Sequence, residues 1–393
     1  MIIIYKEHLQ KSGVNKMTKL EGTITERRRQ TRNSIYQYLF YSETSHSKLE
    51  IASDLSLSLP TVHQNLTELI EAGLVRRDGT YQSTGGRRAT RLTIAEFAHF
   101  AVGVSITDNG LYFLAVNLRM KELAYKKAQK LAMSEVDDVG RLLADELENF
   151  LDEFGLNRTK LLGVGITLPA VIDTENDLIL LAPTLHLKNI KLSGITKYLK
   201  YPSYVSNDAT SGGYAEWFAS PLQSNMAYLF LESGVGGAVL LNGAPYVGAN
   251  QRSGEFGHMC VAPNGRECSC GKFGCLEAYV SVKRISDDLG ITVETFFEGL
   301  DNKIPEYEAL WQDVLLHLAV GINNIHVALD CDVVLGGYLT QYLGPWLPEL
   351  RRLAAELNTF ESNADYIKMC RHTKSASTLG AALYFIKDFI ESI

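Results

Sequence analysis

Residues 254–281, GEFGHMCVAPNGRECSCGKFGCLEAYVS, contain four of the six cysteines of the chain, one histidine and a glutamate near each end. His258, Cys268, Cys270 and Cys275 follow the spacing H-x9-C-x-C-x4-C. One imidazole and three thiolates form a stable tetrahedral zinc set, and the glycines of the stretch let the backbone fold tightly around an ion. A buried thiol cluster or a disulfide is the alternative. The spacing favours zinc, one ion per chain, and the ligand set predicts a structural role.

The other three cysteines lie outside this cluster of four residues. Cys260 stands between Met259 and Val261, and Cys331 and Cys370 are isolated from one another in the sequence. We interpret all three as core thiols outside the metal set.

The length and composition are those of a globular protein of two or three units. Hydrophobic residues make up 46% and charged residues 21% of the 393 positions, and no apolar run reaches the ~20 residues that a membrane span needs. The start, MIIIYKEHLQKSG, has neither the basic lead nor the long apolar core of a secretory signal. We therefore predict a cytoplasmic protein without membrane insertion. In that reducing compartment, clustered cysteines bind metal more often than they form structural disulfides.

The net charge of −7 is distributed unevenly along the chain. Residues 19–91 carry 11 lysines and arginines against 8 aspartates and glutamates, whereas residues 92–393 have a net charge of −12. This asymmetry is typical of a small nucleic-acid-binding head joined to an acidic body.

The basic segment has the pattern of a helix-turn-helix. Residues 24–40 have helical spacing and a run of arginines at their start, and residues 48–55 have the length of a short helix. Ser58 with Pro60 is typical of the N-cap and first turn of a further helix that runs to about Ala72.

A wing is predicted after the third helix. Asp78-Gly79 is a hairpin turn signal, and the arginines of residues 85–88, GGRR, are suited to phosphates or a narrow minor groove. Three helices and a basic hairpin predict a winged helix-turn-helix that binds double-stranded DNA, with residues 61–65 at base edges and the arginines on phosphates. The predicted DNA-binding residues are Arg29, Arg32, Thr61, Val62, His63, Gln64, Asn65, Arg87 and Arg88.

From Phe100 onward, apolar glycine-punctuated runs alternate with helical stretches. AVGVSI, LYFLAVNL, LLGVGITLPAVI, MAYLFLESGVGGAVLL and DVVLGGYL are consistent with buried strands. The strand–turn pattern occurs twice, which predicts an α/β body of two lobes, and the glycine-rich turns after strands are places where such folds admit ligands.

GEFGHM followed by CSCGKFGCLEAYVS resembles the signature of the ROK family, which contains repressors, open reading frames and sugar kinases. NGAPYVGANQRSGEFGH, SNDATSGGYAEW, VGITLPAVID and VVLGGYL have counterparts in the same order, and STGGRRATRL resembles the wing of the repressor branch, which includes glucose- and N-acetylglucosamine-responsive regulators. The resemblance covers nearly everything from about Arg29 to the end. It implies an actin/hexokinase-like, ribonuclease H-like fold of two lobes, a sugar site between the lobes and a homodimer or homotetramer.

The resemblance also implies a sugar site that the zinc loop organises. Asn207 and Asp208 would bind sugar hydroxyls, with Asp208 matching the general base of the kinases, and Glu255 and Glu277 would bind further hydroxyls. His258 would use one ring nitrogen for zinc and the other for sugar, so that the ion fixes a loop whose ends carry two sugar-binding carboxylates. Pro169 would border the sugar, and Ala170 stands where the family usually has glycine.

The chain departs from the kinase pattern where phosphate would bind. In VGVSITDNG, Ser105 replaces the aspartate of the family's Asp-x-Gly-Gly-Thr loop, Thr107-Asp108 replace the glycines and Asn109 replaces the threonine. Glu232-Ser233-Gly234 replaces a second Gly-Thr-Gly turn and adds a carboxylate. A phosphate loop needs free backbone N–H groups, and carboxylates repel an anion. We therefore predict no catalytic residue and no enzyme activity.

Together these features predict a sugar-responsive transcriptional regulator, in the role of a repressor of carbohydrate metabolism genes. The expected partners are an operator and a small sugar or sugar phosphate. A bifunctional sugar kinase and a regulator controlled by a protein partner are the alternatives. The predicted organisation is a leader (1–22), a DNA-binding domain (23–93) and a sugar-sensing domain (94–393) that contains the zinc loop (254–281).

Overall fold

The structure is a computed structural model that describes residues 24–81, 89–128, 136–220, 224–372 and 375–393. The predicted leader and the wing residues Arg87 and Arg88 lie outside the described residues. Within the described ranges, no helix combines the length and the apolar character needed to cross a bilayer.

The described helices and strands alternate along the body after an amino-terminal group of helices. The helices are α1 (Ile24–Tyr41), α2 (Lys48–Asp54), α3 (Leu59–Glu71), α4 (Val136–Glu153), α5 (Ser193–Thr196), α6 (Asp208–Ala219), α7 (Glu277–Val280), α8 (Val282–Ser286), α9 (Val293–Asp301), α10 (Pro305–Leu329), α11 (Thr340–Leu343), α12 (Leu347–Leu357) and α13 (Ala376–Ser392). The strands are β1 (Val75–Thr80), β2 (Thr90–Ile94), β3 (Phe100–Thr107), β4 (Gly110–Asn117), β5 (Glu122–Lys127), β6 (Leu161–Leu168), β7 (Val171–Asp173), β8 (Leu178–Ala182), β9 (Leu187–Lys191), β10 (Ser203–Asn207), β11 (Met226–Leu231), β12 (Val235–Leu241), β13 (Ala244–Pro245), β14 (Asp332–Gly336) and β15 (Ile367–Met369).

The head consists of α1, α2, α3 and the β1–β2 pair, and local capping explains where its helices begin. Ser47 and Glu50 form a reciprocal capping box at the start of α2. The Ser58 hydroxyl accepts a hydrogen bond from the Thr61 N–H at 3.3 Å at the start of α3, as the sequence predicts. Gly73 has a φ of 70° just after α3, a conformation that glycine adopts without strain.

The predicted hairpin turn at Asp78-Gly79 is wrong. Both residues lie within β1, where Arg77 pairs with Leu92 and Thr80 with Thr90, so that two residues of β1 oppose one residue of β2. Gly79 has a φ of 81°, which identifies a bulge rather than a turn. A glycine that follows an aspartate satisfies either geometry, and the local sequence does not distinguish between them.

The body contains two five-stranded sheets with the same topology. The first has the order β10-β6-β3-β4-β5 and the second the order β13-β12-β11-β14-β15. In each, the first three strands in sequence are antiparallel neighbours and the next two join in parallel. The strand runs predicted from residue 100 onward are confirmed. A separate three-stranded sheet, β7-β8-β9, extends from the first lobe.

Helices α6 and α13 lie between the two sheets and pack closely on each other. α6 packs on β11 and β12, and α13 packs on β3 and β6. A Cβ at Gly380 of α13 would lie 1.7 Å from the Ser211 carbonyl oxygen of α6, and a Cβ at Gly103 of β3 would lie 1.8 Å from the Thr378 carbonyl oxygen. Only glycine allows approaches this close, so the two helices form one tightly packed unit.

The head and the body share a continuous hydrophobic core. The side chains of α1 that face the body pack with those of α6 and α13. Phe40 meets Phe218 with ring centroids 6.3 Å apart, and Tyr36 meets Phe389 edge to face. The Asn33 side-chain amide donates to the Ile390 carbonyl at 2.7 Å near the end of α13. The head is therefore packed against the helices that separate the two sheets.

Candidate functional site

A cleft of 1520 Å³ lies between the two sheets and contains every predicted sugar-binding residue. Asn207 and Asp208 lie where β10 ends and α6 begins. Glu255, His258 and Glu277 lie on the opposite wall, in the stretch between β13 and α8. The structure thus brings together residues that are up to 70 positions apart in the sequence.

Asn207 positions Asp208 by capping α6. Its side-chain oxygen accepts a hydrogen bond from the Thr210 N–H at 2.9 Å, and its amide donates to the Ala170 carbonyl at 3.0 Å. One amide hydrogen remains for a ligand. The backbone carbonyl of Ala170 therefore helps to orient the Asn207 side chain.

Asp208 is a half-buried residue in the lining of the cleft. Its Oδ1 accepts a hydrogen bond from the Ala209 N–H at 2.8 Å. Burial, with a contribution from the nearby charge of Glu255, raises the pKa of Asp208 to about 6. Burial likewise raises the pKa of Glu255, with Glu277 acting in the same direction. Carboxylates that are this poorly hydrated are strong acceptors for sugar hydroxyls.

The four predicted metal ligands come together. The ligand atoms of His258, Cys268, Cys270 and Cys275 all lie within 4.8 Å of one another. The Sγ atoms of Cys270 and Cys275 are 3.8 Å apart, as are the His258 Nδ1 and the Cys268 Sγ. A tetrahedral zinc with bonds of ~2.3 Å to sulfur and ~2.0 Å to nitrogen requires separations of about 3.8 and 3.6 Å between its ligand atoms. The residues fit a tetrahedral metal, and the three cysteines are free thiols rather than disulfides.

Close backbone packing shapes the loop that carries these ligands. Gly274 has a φ of 81°, and a Cβ there would lie 2.0 Å from the Ala262 carbonyl oxygen. Cys260 pairs with Cys275 through a backbone bridge, but it is exposed. The prediction that Cys260 is a core thiol is therefore wrong, because the bridge places it at the surface of the loop. Cys331 is buried, as predicted, and Cys370 is partly buried.

Glu277, near the end of the loop of residues 254–281, accepts hydrogen bonds from this loop and from β12. The Ser269 hydroxyl donates to its Oε1 at 2.6 Å, and the Val235 N–H of β12 donates to its Oε2 at 3.0 Å. Sequence reasoning missed Ser269. Its position between Cys268 and Cys270 was the available signal, because a side chain between two predicted metal ligands must lie close to the other residues of the site.

The two turns that depart from a phosphate-binding pattern also line the cleft. Thr107 closes the β3–β4 turn, where its Oγ1 accepts from the Asn109 N–H at 3.1 Å. In the second turn, the Glu232 Oε1 accepts from the Tyr338 N–H at 2.8 Å. Burial raises the pKa of Glu232 to about 7, and the charge of Asp208 contributes.

The structure divides the predicted base-reading residues of α3 into two groups. Thr61, His63 and Gln64 are exposed or half-buried on one face. Val62 and Asn65 are buried at 0% and 3% exposure, so the prediction that they face base edges is wrong. Both belong to the face of α3 that packs in the head, where the Asn65 amide donates to the Thr61 carbonyl at 2.8 Å. Five consecutive helical residues cannot all face one groove, because they span more than a full turn.

The arginines at the start of α1 lie near the outer face of the head. Arg29 is exposed, and Arg32 is half-buried with its guanidinium 3.7 Å from a Glu68 carboxylate oxygen of α3. Arg28 pairs with the same carboxylate. Glu68 therefore orients part of the basic cluster that the sequence assigns to phosphates.

Comparison with known proteins places these features in a family. The family model described as "ROK family" matches residues 107–388. The xylose repressor of Bacillus subtilis is 28% identical over 289 residues, which cover 71% of this chain and 74% of that protein. The N-acetylglucosamine repressor of Escherichia coli O157:H7 is 26% identical over 262 residues, which cover 66% of this chain and 64% of that protein.

Solved structures share the fold. A ROK family transcriptional regulator described as a homologue of the E. coli MLC protein aligns with a TM-score of 0.75 at 22% identity, over 93% of this chain and 97% of that one. A ROK hexokinase from Thermus thermophilus aligns with a TM-score of 0.61 at 23% identity, over 74% of this chain and 99% of that one. The body therefore has a fold that a ROK transcriptional regulator and a ROK hexokinase share.

Proposed function

The chain belongs to the ROK family, and we propose that it is a sugar-responsive, DNA-binding transcriptional regulator that represses genes of carbohydrate metabolism. Two relatives are named as repressors, one for xylose and one for N-acetylglucosamine. A regulator of transcription acts in the compartment that holds the DNA, which for this protein is the cytoplasm. Such a regulator joins a DNA-binding head to a sugar-binding cleft.

The head acts as a winged helix-turn-helix. α2 and α3 are joined by a tight turn, and β1 with β2 forms the base of a wing. Thr61, His63 and Gln64 read base edges, because they lie on the exposed face of α3. Arg29 and Arg32 contact phosphates, together with Arg87 and Arg88 of the wing.

The four-residue cluster in the zinc loop holds one structural Zn²⁺ per chain. His258, Cys268, Cys270 and Cys275 supply one nitrogen and three sulfurs, the set that zinc prefers. No ligand position is left for a reacting water, so the ion acts on structure. The His258 Nδ1 faces the cysteines, and its other ring nitrogen is available to a sugar hydroxyl. The metal would thus fix the loop that presents the sugar-binding carboxylates.

One observation carries the proposed link between the sugar and the DNA. α6 begins at Asp208 in the cleft and ends beside Phe218, which packs on Phe40 of α1 in the head. A sugar held between Asp208 and the opposite wall stabilises one spacing of the two lobes over others, and such differential affinity is what lets a ligand shift a conformational equilibrium. Because α6 is rigidly packed against α13, its displacement moves the head. In a homodimer or homotetramer, that motion changes the distance between two reading helices.

A sugar kinase is the second candidate, and Asp208 is the observation that favours it. A carboxyl group with a pKa near 6 at the floor of a hexokinase-like cleft has the properties of a general base. The phosphate end of the cleft argues against this candidate, because Thr107 and Glu232 occupy the backbone N–H groups of Asn109 and Tyr338. We therefore assign no catalytic residue. Control by a protein partner in place of a sugar is a further alternative.

A thermal-shift screen separates these candidates. Free sugars, including xylose, glucose and N-acetylglucosamine, are added to the purified chain, and a ligand that binds the folded state raises the melting temperature. The same panel is tested with ATP in a coupled assay for ADP. A sugar that stabilises the chain and yields no ADP supports the regulator. ADP production identifies a kinase, and no stabilisation by any sugar favours a protein partner.

A further inference from the structure

Three backbone N–H groups near Asp208 donate to carboxylate oxygens of the chain itself. Asp208 accepts from the Ala209 N–H, and Glu277 accepts from the Val235 N–H. Glu232 accepts from the Tyr338 N–H at 2.8 Å on the side of the second lobe. Backbone N–H groups at turns and helix starts are the usual ligands of a bound phosphate. In this cleft, carboxylates of the protein accept hydrogen bonds from such N–H groups in place of a phosphate.

The β3–β4 turn repeats this arrangement at the other side of the cleft. The Thr107 Oγ1 accepts from the Asn109 N–H at 3.1 Å and donates to the Gly110 carbonyl at 3.2 Å. Asp108, at the tip of the same turn, adds a carboxylate to the lining. The turn therefore presents a negative charge and an internally bonded backbone to any ligand that enters from the Asp208 side.

The cations of the lining do not offset this charge. The described lining contains eight carboxylates against three lysine or arginine side chains. Two of the three, Arg266 and Arg284, pair with Asp288. Lys283 is the third, and it lies in α8, directly after the loop of residues 254–281. Acidic side chains, Asp108 and Glu232 among them, therefore outnumber basic ones in the described lining of the cleft.

We propose that the effector of this cleft is an uncharged sugar and that Glu232 and Asp108 discriminate against its phosphate ester, a proposal that rests on the sugar-binding function argued above. A hydroxyl that donates to Asp208 is a favourable partner for this site. Esterification replaces that donor with a phosphate dianion beside Asp208 and Glu232, whose charges already interact. Like charges that share a site disfavour each other's ionised form, so the ester binds more weakly than the free sugar.

Calorimetric titration of the full chain with matched pairs tests the proposal. The probes are glucose and glucose 6-phosphate, N-acetylglucosamine and N-acetylglucosamine 6-phosphate, and free xylose. We expect at least one free sugar to bind, and to bind about tenfold or more tightly than its ester, which is about 1.4 kcal/mol. An ester that binds as tightly as its free sugar overturns the inference and leaves the proposed regulator intact. Binding of neither kind of probe overturns both.

Two variants test the residues that we assign. Glu232→Gln keeps an oxygen for the Tyr338 N–H, and Asp108→Asn changes an exposed turn residue. Each should raise the affinity of the ester by about three- to tenfold and change that of the free sugar by less than about twofold. Asp287 is a carboxylate of the cleft lining just after α8. Asp287→Asn is therefore the matched control and should alter neither the affinity of the ester nor that of the free sugar. Equal effects of all three substitutions, or no effect of any, would contradict the assignment.

Discussion

Arg119, in the turn after β4 of the body, donates a hydrogen bond at 3.1 Å to the carbonyl of Leu39 in the last turn of α1. The same guanidinium donates to the Phe40 carbonyl and lies 5.9 Å from the centre of the Phe40 ring. A cation at the C-terminal end of a helix satisfies carbonyls that have no partner within the helix and complements the helix dipole. Arg119 therefore fastens the end of α1 to the first sheet, while Phe40 packs on Phe218 of α6.

Arg119→Ala should destabilise the junction between head and body. Removing the guanidinium leaves partly buried carbonyls without a partner, which lowers the free energy of unfolding by ~1–3 kcal/mol. With the junction loosened, the factor by which sugar changes operator affinity should fall towards one, while operator binding without sugar persists. Chemical denaturation and operator anisotropy with and without sugar measure the two effects.

Arg158→Ala is the matched control for this junction. Arg158 pairs with Glu148 and Asp152 at the surface of the body, and exposed ion pairs of this kind contribute little to stability. The control should keep the full sugar response. An Arg119→Ala protein that also keeps the full response would show that the signal reaches the head by another route.

Cys268→Ser should remove the metal and disorganise the sugar site together. A lost thiolate weakens a structural zinc site, and binding of the ion is coupled to folding of its loop. Elemental analysis should find about one zinc per chain in the wild type and far less in the variant, with a lower melting temperature and weaker sugar binding. Cys260→Ser, in the same loop but outside the ligand set, should retain the metal. Metal-free wild-type protein with normal stability would disprove a structural zinc.

Gln64→Ala and Asn65→Ala, at adjacent positions of α3, should have opposite effects. Gln64 is exposed, so its loss should relax base preference at one operator position by ~1–3 kcal/mol and leave stability unchanged. Asn65 is 3% exposed, so its loss should lower the melting temperature without changing base preference. Binding-site selection from a random DNA library, paired with thermal melts, distinguishes them. A stable Asn65→Ala protein with altered base preference would mean that α3 faces DNA by another side.

Asp208→Asn should stabilise the chain at neutral pH. Burial raises the pKa of Asp208 to about 6, above the ~3.9 of an unfolded aspartate. Because the folded pKa is the higher one, ionisation of this group opposes folding increasingly as the pH rises from about 4 to about 6. The amide should therefore raise the free energy of unfolding at pH 7.5 by up to ~3 kcal/mol and have little effect near pH 4.

Asp173→Asn is the control of opposite sign. Hydrogen bonds from the Asn176 side-chain amide and backbone lower the pKa of Asp173, so its ionised form favours the folded state. This variant should show no gain in stability at pH 7.5. A pH-independent effect of Asp208→Asn would show that the carboxyl group is well hydrated in the folded chain.

The four candidate metal ligands could be predicted from the sequence because their chemistry and their spacing are both local. His258 and the three cysteines lie within 18 residues, and few other functions use that combination. Prediction of the proposed sugar site needed the family resemblance, since Asp208 and Glu277 are 69 positions apart and either alone is typical of a surface acid. Strand runs were evident because buried strands are continuously apolar.

Features set by packing could not be read from the sequence. Val62 and Asn65 follow the helical period that buries them, but Asn65 is polar and suits DNA equally well. Asp78-Gly79 is typical of a turn, but in the structure the two residues form a bulge within β1. The contact between Arg119 and Leu39 joins positions 80 residues apart, and no local sequence pattern predicts it.

Operator binding titrated with the sugar that the thermal screen identifies tests the central claim, that the cleft controls the head. Wild-type protein and Asp208→Asn are compared by fluorescence anisotropy on an operator selected from a random library by the wild type. Sugar should change wild-type operator affinity by about 5–150-fold, the usual scale of such coupling. Asp208→Asn should bind the same operator and need about tenfold or more additional sugar, because it lacks a charged acceptor whose hydrogen bond contributes ~1.5–3 kcal/mol. An Asp208→Asn protein that responds at the wild-type sugar concentration would contradict the account, since the cleft could then not be the sensor.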